Sequence, residues 1–258
     1  MTMLVKLKTT GEPIIDVEVQ CENSIDWDFS KFNPGKVKNS QNIREFDKWL
    51  SWIKNTFDMT RPFNYLEIGS YAGESLYYLS QVFPRGSVIT LIDLGDNTVA
   101  REILLRVCKL IQIEYGHTIN LLSGYSNNEN IIRQAMAYPK GQALYDMVFI
   151  DANHDFGWAY EDFMHYKDKA SWVAFHDISD FNIVKTTMKY GKEVANAAHL
   201  WKAITTVINQ KQHPYAAPPE DKNLNWDQFI DYDNNTDVGI MDLKPRGIGV
   251  LYSGAINQ

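Results

Sequence analysis

The chain has 258 residues, 45% hydrophobic, 22% charged and 13% aromatic, which fits a folded globular protein and excludes a disordered or collagen-like one. Lys and Arg number 25 against 32 Asp and Glu, for a net charge of −7. No basic stripe stands out, so nucleic acid is an unlikely partner, while small polar molecules, sugars and proteins stay open.

The N-terminal segment reads as a hairpin. LVKLK and IIDVEV flank Thr9-Thr10-Gly11-Glu12-Pro13, whose Gly and Pro supply turn chemistry. We expect residues 1–40 to be an extension carrying this hairpin, and 41–258 to be the main domain. If a dimer forms, the hairpin is the expected contact. MTMLVKLKTT lacks the apolar run of a signal peptide, and no stretch of about 18 apolar residues occurs. Cys21 and Cys108 have no CxxC partner and read as free thiols of a reducing compartment, so a cytoplasmic protein with no membrane span is expected.

A helix is predicted from Gln41 to Phe57, because Ile43, Phe46, Trp49, Leu50 and Ile53 recur at helical spacing. From Tyr65 onward, strand and helix alternate. Strands are predicted at 65–69, 87–93, 119–124, 145–151 and 171–177, and helices at 73–83, 98–115, 129–137 and 158–170. Five apolar runs separated by helices imply a mostly parallel sheet covered on both faces, doubly wound by right-handed crossovers. A helix is expected near 194–209, a Pro-rich loop or lid over 210–228 with Trp226, and a closing antiparallel hairpin from FIDYD and GIGVLY.

Chemistry first shows at the end of the 65–69 strand. Tyr65-Leu-Glu-Ile-Gly-Ser-Tyr-Ala-Gly-Glu-Ser75 sets Gly69 and Gly73 between strand and helix, where missing side chains let a ligand approach the main chain. The spacing is GxxxG, not the GxGxxG of a dinucleotide site, and the acid Glu67 favours a cationic ligand over a phosphate. Twenty residues after Gly73, Asp93 ends the next strand, placed to accept from the hydroxyls of a ribose.

ExGxxxG followed by this acid resembles the class I S-adenosylmethionine (SAM)-dependent methyltransferases. The resemblance covers about residues 41–252. It implies a seven-stranded, mostly parallel Rossmann-like α/β sheet with a C-terminal antiparallel strand. It also implies SAM as cofactor, held at Glu67, Gly69, Ser70, Tyr71, Gly73 and Asp93. Gly124-Tyr125-Ser126 would meet the adenine, and Asp151 would complete the site.

The second signal comes from IDANHDFGWAYEDF and WVAFHD. If the strands ending at Asp151 and Asp177 are neighbours, about 4.8 Å apart, their carboxylates share one mouth. They repel unless a cation sits between them or one takes a proton, and Mg²⁺, Mn²⁺ or a softer metal would suit the oxygens and histidines. The pattern resembles the sugar and small-molecule O-methyltransferases, and the cephalosporin hydroxylase-like proteins of the same fold. That resemblance implies Asp151, Asp177 and His176 as metal ligands and His154, with Asp151, as the catalytic pair. Phe156 stands where that branch has Tyr, and His176 where its metal-binding members have an acid.

Plain structural roles compete with these. Asp151 would serve equally to cap the following turn, His154 to hold a backbone carbonyl, and His176 with Asp177 to fix a loop. Trp158, Tyr160 and Trp172, like Trp49 and Trp52, are candidates for a substrate pocket or for core. The expected activity is methyl transfer from SAM to a hydroxyl of a small molecule, with sugar favoured by resemblance, with or without a divalent metal. The alternatives are an iron-dependent hydroxylase-like enzyme on the same frame, and a non-catalytic SAM-binding or structural protein.

Overall fold

The computed structural model describes residues 3–4, 18–19, 42–139, 144–179, 194–212, 226–230 and 246–253. Their elements in chain order are β1 (Met3–Leu4), β2 (Glu18–Val19), α1 (Ile43–Thr56), β3 (Asn64–Ile68), α2 (Glu74–Ser80), β4 (Val88–Asp93), α3 (Thr98–Glu114), β5 (Thr118–Ser123), α4 (Glu129–Ala135), β6 (Tyr145–Ile150), α5 (Phe156–Tyr166), β7 (Ala170–His176), α6 (Ala197–Gln212), β8 (Trp226–Phe229) and β9 (Ile248–Tyr252). β1 and β2 pair antiparallel, Met3 opposite Val19; the rest of the expected hairpin lies outside the described residues. The other seven strands form one sheet in the order β5-β4-β3-β6-β7-β9-β8. The expected seven-stranded α/β architecture is therefore observed.

The chain divides into two compact units, one holding β1–β5 with α2–α4, the other α1, α5, α6, β7–β9 and all of β6 but its first residue. In the first, β3, β4 and β5 run parallel and in register, Asn64 opposite Val88 and Val88 opposite Thr118. Every residue of β3 is buried, as a strand covered on both faces requires, and this explains why NYLEI reads as a run rather than an alternation. The Asn97 side chain accepts from Ala100 N at 3.1 Å and caps α3, so the helix starts where its apolar stripe does.

In the second unit, β9 lies antiparallel to both β7 and β8. Of the expected strand FIDYD, Phe229 ends β8 and is buried opposite Ile248, while residues 231–233 lie outside the described residues. Trp226 opens that strand and meets Trp201 edge-on at 5.7 Å, so an aromatic anchor sets the position of the strand. Trp226 is thus a strand residue, not part of a loop. Of the expected 210–228 loop, residues 213–225 lie outside the described residues.

The helical reading of α1 holds, and its apolar face is packed. Phe46, Trp49 and Ile53 are buried, with Trp49 4.8 Å from the Phe149 ring. Trp52 meets Trp172 at 4.9 Å, and Trp172 also packs on Tyr252. Aromatics at helical spacing here build core.

Gly249 of β9 lies under the Trp201 ring. A Cβ there would stand 2.7 Å from Trp201 Cη2, and that ring is tethered by its Nε1–H donating to Gln228 Oε1 at 3.3 Å. Gly249→Ala is expected to cost about 1–3 kcal/mol of stability through overpacking. Urea unfolding checks this; an unchanged midpoint would mean that the indole moves aside freely.

Candidate active site and donor loop

In the first unit, the loop after β3 turns on two glycines with left-handed backbones, Gly69 at φ 89° and Gly73 at φ 80°. Gly69 N donates to Ile92 O at 2.8 Å and Gly73 N to Ser70 O at 2.7 Å, which pins the loop against the end of β4. Tyr71 is also left-handed, at φ 44°, and its side chain is 59% exposed. A bulky residue persists there only because its surroundings over-determine it. One such constraint is Asp93: its Oδ2 accepts from Tyr71 N at 2.8 Å while Oδ1 accepts from Gly95 N at 2.7 Å. Each carboxylate oxygen keeps a further lone pair for an incoming hydroxyl.

Glu67 is fully buried, accepting from Ser75 Oγ at 2.5 Å and from Tyr65 OH at 3.1 Å. Burial, reinforced by the Glu67 charge, pushes the Cys108 thiol up to about 12, so this free cysteine is inert as a nucleophile. Cys21 lies outside the described residues. The β5 end joins the same surface: Gly124 N donates to Asp93 O at 3.1 Å, and Tyr125 is exposed. The structure therefore joins Tyr71 and Gly124 to Asp93 by direct hydrogen bonds and holds Gly69 on Ile92 beside them. The buried hydroxyls of Ser70 and Ser123 have no hydrogen-bond partner among the described residues. Ser123 and Gly95 belong to this set and escaped the sequence reading; Gly95, two residues beyond the acid, carried a weak turn signal.

The second unit holds the acid and histidine cluster. β6 and β7 are neighbours, as expected, and they deliver Asp151, His176 and Asp177. His154 follows on the loop into α5, and its carbonyl accepts from Ala197 N at 2.8 Å, so the first residue of α6 holds the loop in place. His154 Nδ1 lies 2.6 Å from Asp177 Oδ2, and its Nε2 lies 3.3 Å from Asp151 Oδ1. Asp151 Oδ1 also meets His176 Nδ1 at 2.9 Å. His176 is only 2% exposed, and its Nε2 is buried without a hydrogen-bond partner among the described residues. His154 is 43% exposed and is the member of the set that solvent reaches most easily. Arg246 Nη1 stands 3.9 Å from Asp177 Oδ1, a neighbour that sequence reading missed because its position gives no motif. Trp158 and Tyr160 of α5 are exposed, Tyr160 stacking on Phe156.

Burial alone would lower His154, but hydrogen bonds and charge from Asp151 and Asp177 outweigh it and raise the imidazole to about 10. Burial likewise pushes Asp177 up, but the charge of His176 and the bond from His154 prevail and hold it at about 2. Asp151 is lowered for the same reasons, burial being outweighed by His176 and then His154. The neutral-range histidine expected for a base is therefore not what the protein holds before substrate arrives.

This pairing has a consequence for stability. A His154 raised above its ordinary 6.5 stabilises the fold fully below that value, and the contribution is lost as pH rises through about 10. Asp177, lowered from 3.8, contributes above that value and loses it as pH falls through about 2. Solvent access at His154 screens part of the effect. Urea unfolding is expected to show stability falling between pH 7 and 10, with a shallower fall in Asp177→Asn. Identical slopes in the two proteins would mean that Asp177 does not hold the imidazolium.

Asp151, His154 and His176 each offer a ligating atom within 4.8 Å of the others. Asp177 also lies in reach of both histidines, its Oδ2 2.6 Å from His154 Nδ1 and its Oδ1 3.6 Å from His176 Nδ1. Two imidazoles and one carboxylate suit Mn²⁺, iron or a similar ion better than Mg²⁺, which prefers oxygen.

Comparison with known proteins now bears on this arrangement. Residues 66–178, which run from β3 through Asp177, match the family described as "Methyltransferase domain". That part of the chain is similar to a methyltransferase domain. Among solved structures, the O-methyltransferase from Bacillus cereus in complex with SAH is similar, with a TM-score of 0.50 and 14% identity over 81% of this chain and 80% of that one. Cofactor-bound Rv0187 from MTB has a TM-score of 0.49 and 13% identity, covering 88% and 85%. The O-methyltransferase TomG from Streptomyces achromogenes, involved in tomaymycin synthesis and in complex with SAM, has a TM-score of 0.47 and 16% identity, covering 83% and 86%. At such identities the likeness is one of fold. No match is found among curated proteins. Among the described residues, no helix is long and apolar enough to cross a membrane.

Proposed function

We propose that this chain uses SAM to methylate a hydroxyl of a small molecule. The observation that carries the reading is the His154–Asp177 pair, a half-exposed imidazole oriented through Nδ1 by a buried carboxylate at 2.6 Å. An imidazole so held presents Nε2 for proton transfer, and its other contact, to Asp151 at 3.3 Å, is the longer of the two. SAM would bind at Glu67, Gly69, Ser70, Tyr71, Gly73 and Asp93, its ribose on the Asp93 carboxylate and its adenine toward Tyr125 and Ser126, with Asp151 completing the site. The acceptor would displace the Asp151 contact, removing one of the two carboxylates that keep the imidazole protonated, and the Nε2 proton would leave to solvent; the hydroxyl would then give its proton to the neutral Nε2 as its oxygen attacks the methyl carbon in line with sulfur, leaving S-adenosylhomocysteine. The charge of Asp177 stabilises the imidazolium that forms. Most of the rate gain would come from holding two reactants in line.

A divalent ion on Asp151 and His176, with Asp177 in reach, would lower the hydroxyl pKa. Sugar is the acceptor class we favour, on the motif resemblance. Residues 1–40 are taken as an extension to the catalytic region at 41–258, available for self-association, and a cytoplasmic setting fits the free Cys108.

A second reading draws on the Asp151, His154 and His176 cluster. Two imidazoles and one carboxylate also suit redox iron, in which case His154 is a ligand and the enzyme a hydroxylase-like one.

Calorimetric titration of EDTA-treated protein with SAM, with and without Mg²⁺ or Mn²⁺, tests the first reading, followed by labelled-methyl transfer to hydroxylated acceptors. Micromolar binding is the expected result. Absence of binding by folded protein, with stoichiometric iron in protein purified without chelator, would install the second reading instead.

A further inference from the structure

Glu45 lies on α1, distant in sequence from every motif residue, and is fully buried. An acid in the first turn of a helix ordinarily serves that helix's own N-terminus. This one turns away from it and accepts from two backbone amides of a remote segment. Arg246 N donates to its Oε1 at 3.2 Å and Oε2 at 3.4 Å, and Gly247 N donates to Oε2 at 2.9 Å.

The same two residues use their carbonyls on the segment that follows Asp177. Ser179 N donates to Arg246 O at 2.8 Å, and Ile178 N to Gly247 O at 3.4 Å. Gly247 takes φ 80°, and a Cβ there would stand 2.9 Å from Ile178 Cγ1 and 3.3 Å from Ser179 N, so the two segments are in close contact. The 246–247 turn is therefore gripped from one side by Glu45 and grips residues 178–179 on the other. Asp177 itself is left-handed, at φ 58°, a region that aspartate enters more readily than most side chains but still at a cost that neighbouring contacts offset.

We infer that Glu45 is a positioning residue, which clamps the 246–247 turn and so holds Asp177 in the left-handed conformation that sets its carboxylate on His154 Nδ1. The assignment of a catalytic task to that pair rests on the function proposed above; the clamp itself does not. The chemistry calls for a carboxylate. Two amides converge on one side chain, and both need an acceptor. Glutamine keeps one oxygen for Gly247 N and turns an NH₂ toward Arg246 N, so the shorter of that amide's two bonds is lost.

The test compares wild type with Glu45→Gln by low-temperature proton NMR of protein labelled with ¹⁵N-histidine. A 2.6 Å contact from Nδ1–H to a carboxylate should give a strongly downfield imidazole proton, assigned by its loss in His154→Ala. In folded Glu45→Gln this resonance is expected to vanish or move upfield, while SAM affinity stays at the wild-type value and turnover falls about tenfold, as for a positioned group that has slipped. Gly249→Ala, a destabilised variant of the same strand, should keep the resonance. The inference is overturned if folded Glu45→Gln shows the wild-type resonance, or if Gly249→Ala loses it as well. Should Glu45→Gln not fold, Glu45→Asp, which retains both oxygens on a shorter arm, is read by the same criterion. Failure of wild type to bind SAM would remove the proposed activity and leave the resonance comparison to decide the clamp.

Discussion

His154→Ala is expected to reduce methyl transfer about 10²–10⁴-fold while leaving SAM affinity unchanged. The imidazole is the most exposed of the four acid and histidine side chains, is oriented at 2.6 Å by Asp177, and has its second nitrogen on a longer contact. A group with these properties transfers protons; one that only held the loop would not need an open face. The loop is secured independently by the His154 carbonyl and Ala197 N, a backbone bond that alanine preserves. Turnover is read as labelled methyl on a hydroxylated acceptor, and donor binding by calorimetry. Partial recovery with added imidazole would mark lost chemistry rather than lost structure. A variant with wild-type turnover would remove His154 from the reaction.

Gly73→Val is expected to weaken SAM binding severely. Gly73 has φ 80° at the N-terminus of α2, and a Cβ there would lie 3.0 Å from Leu104 Cδ1 and 3.2 Å from Val107 Cγ1 of α3. A β-branched residue is strained at that φ, and the added methyls have no room. Strain of about 1–3 kcal/mol borne by the loop alone would cost roughly 5–150-fold in donor affinity. Gly86→Ala is the matched control: φ is 86°, but the nearest neighbour of a Cβ is Pro62 Cγ at 4.0 Å, and the residue precedes β4 rather than following β3. It should lower global stability and leave donor affinity alone. Equal affinities for Gly73→Val and wild type would dissociate this loop from the donor.

Much of the fold was legible because its signals are local. Continuous apolar runs such as NYLEI and YDMVFI mark strands buried on both faces, and Asn97 marks the start of α3 by its cap. The strand-end acids were legible for a related reason, since a sheet presents the residues at its carboxyl edge as a group. The charge state of that cluster was not. Whether a histidine at or beyond the end of a strand is neutral or charged depends on carboxylates 25 and 23 positions away in the chain, and distance in sequence says nothing of a 2.6 Å contact. The same limit left Trp226 in a loop, when it meets Trp201 and opens β8, and left Trp49 open between pocket and core, when the Phe149 ring lies 4.8 Å away.

By itself, the order of residues determined the alternation of strand and helix, the glycine loop with its acid at Asp93, and the candidates Asp151, His154, His176 and Asp177, because propensity, periodicity and turn chemistry act over a few neighbouring residues. Only the tertiary structure decided which of these touch: that both nitrogens of His154 lie against carboxylates, that His176 is sealed from solvent, and that Glu45 reaches the turn beside Asp177. The reason is that charge and hydrogen bonding act through space, over a few ångströms between groups that the chain itself keeps far apart.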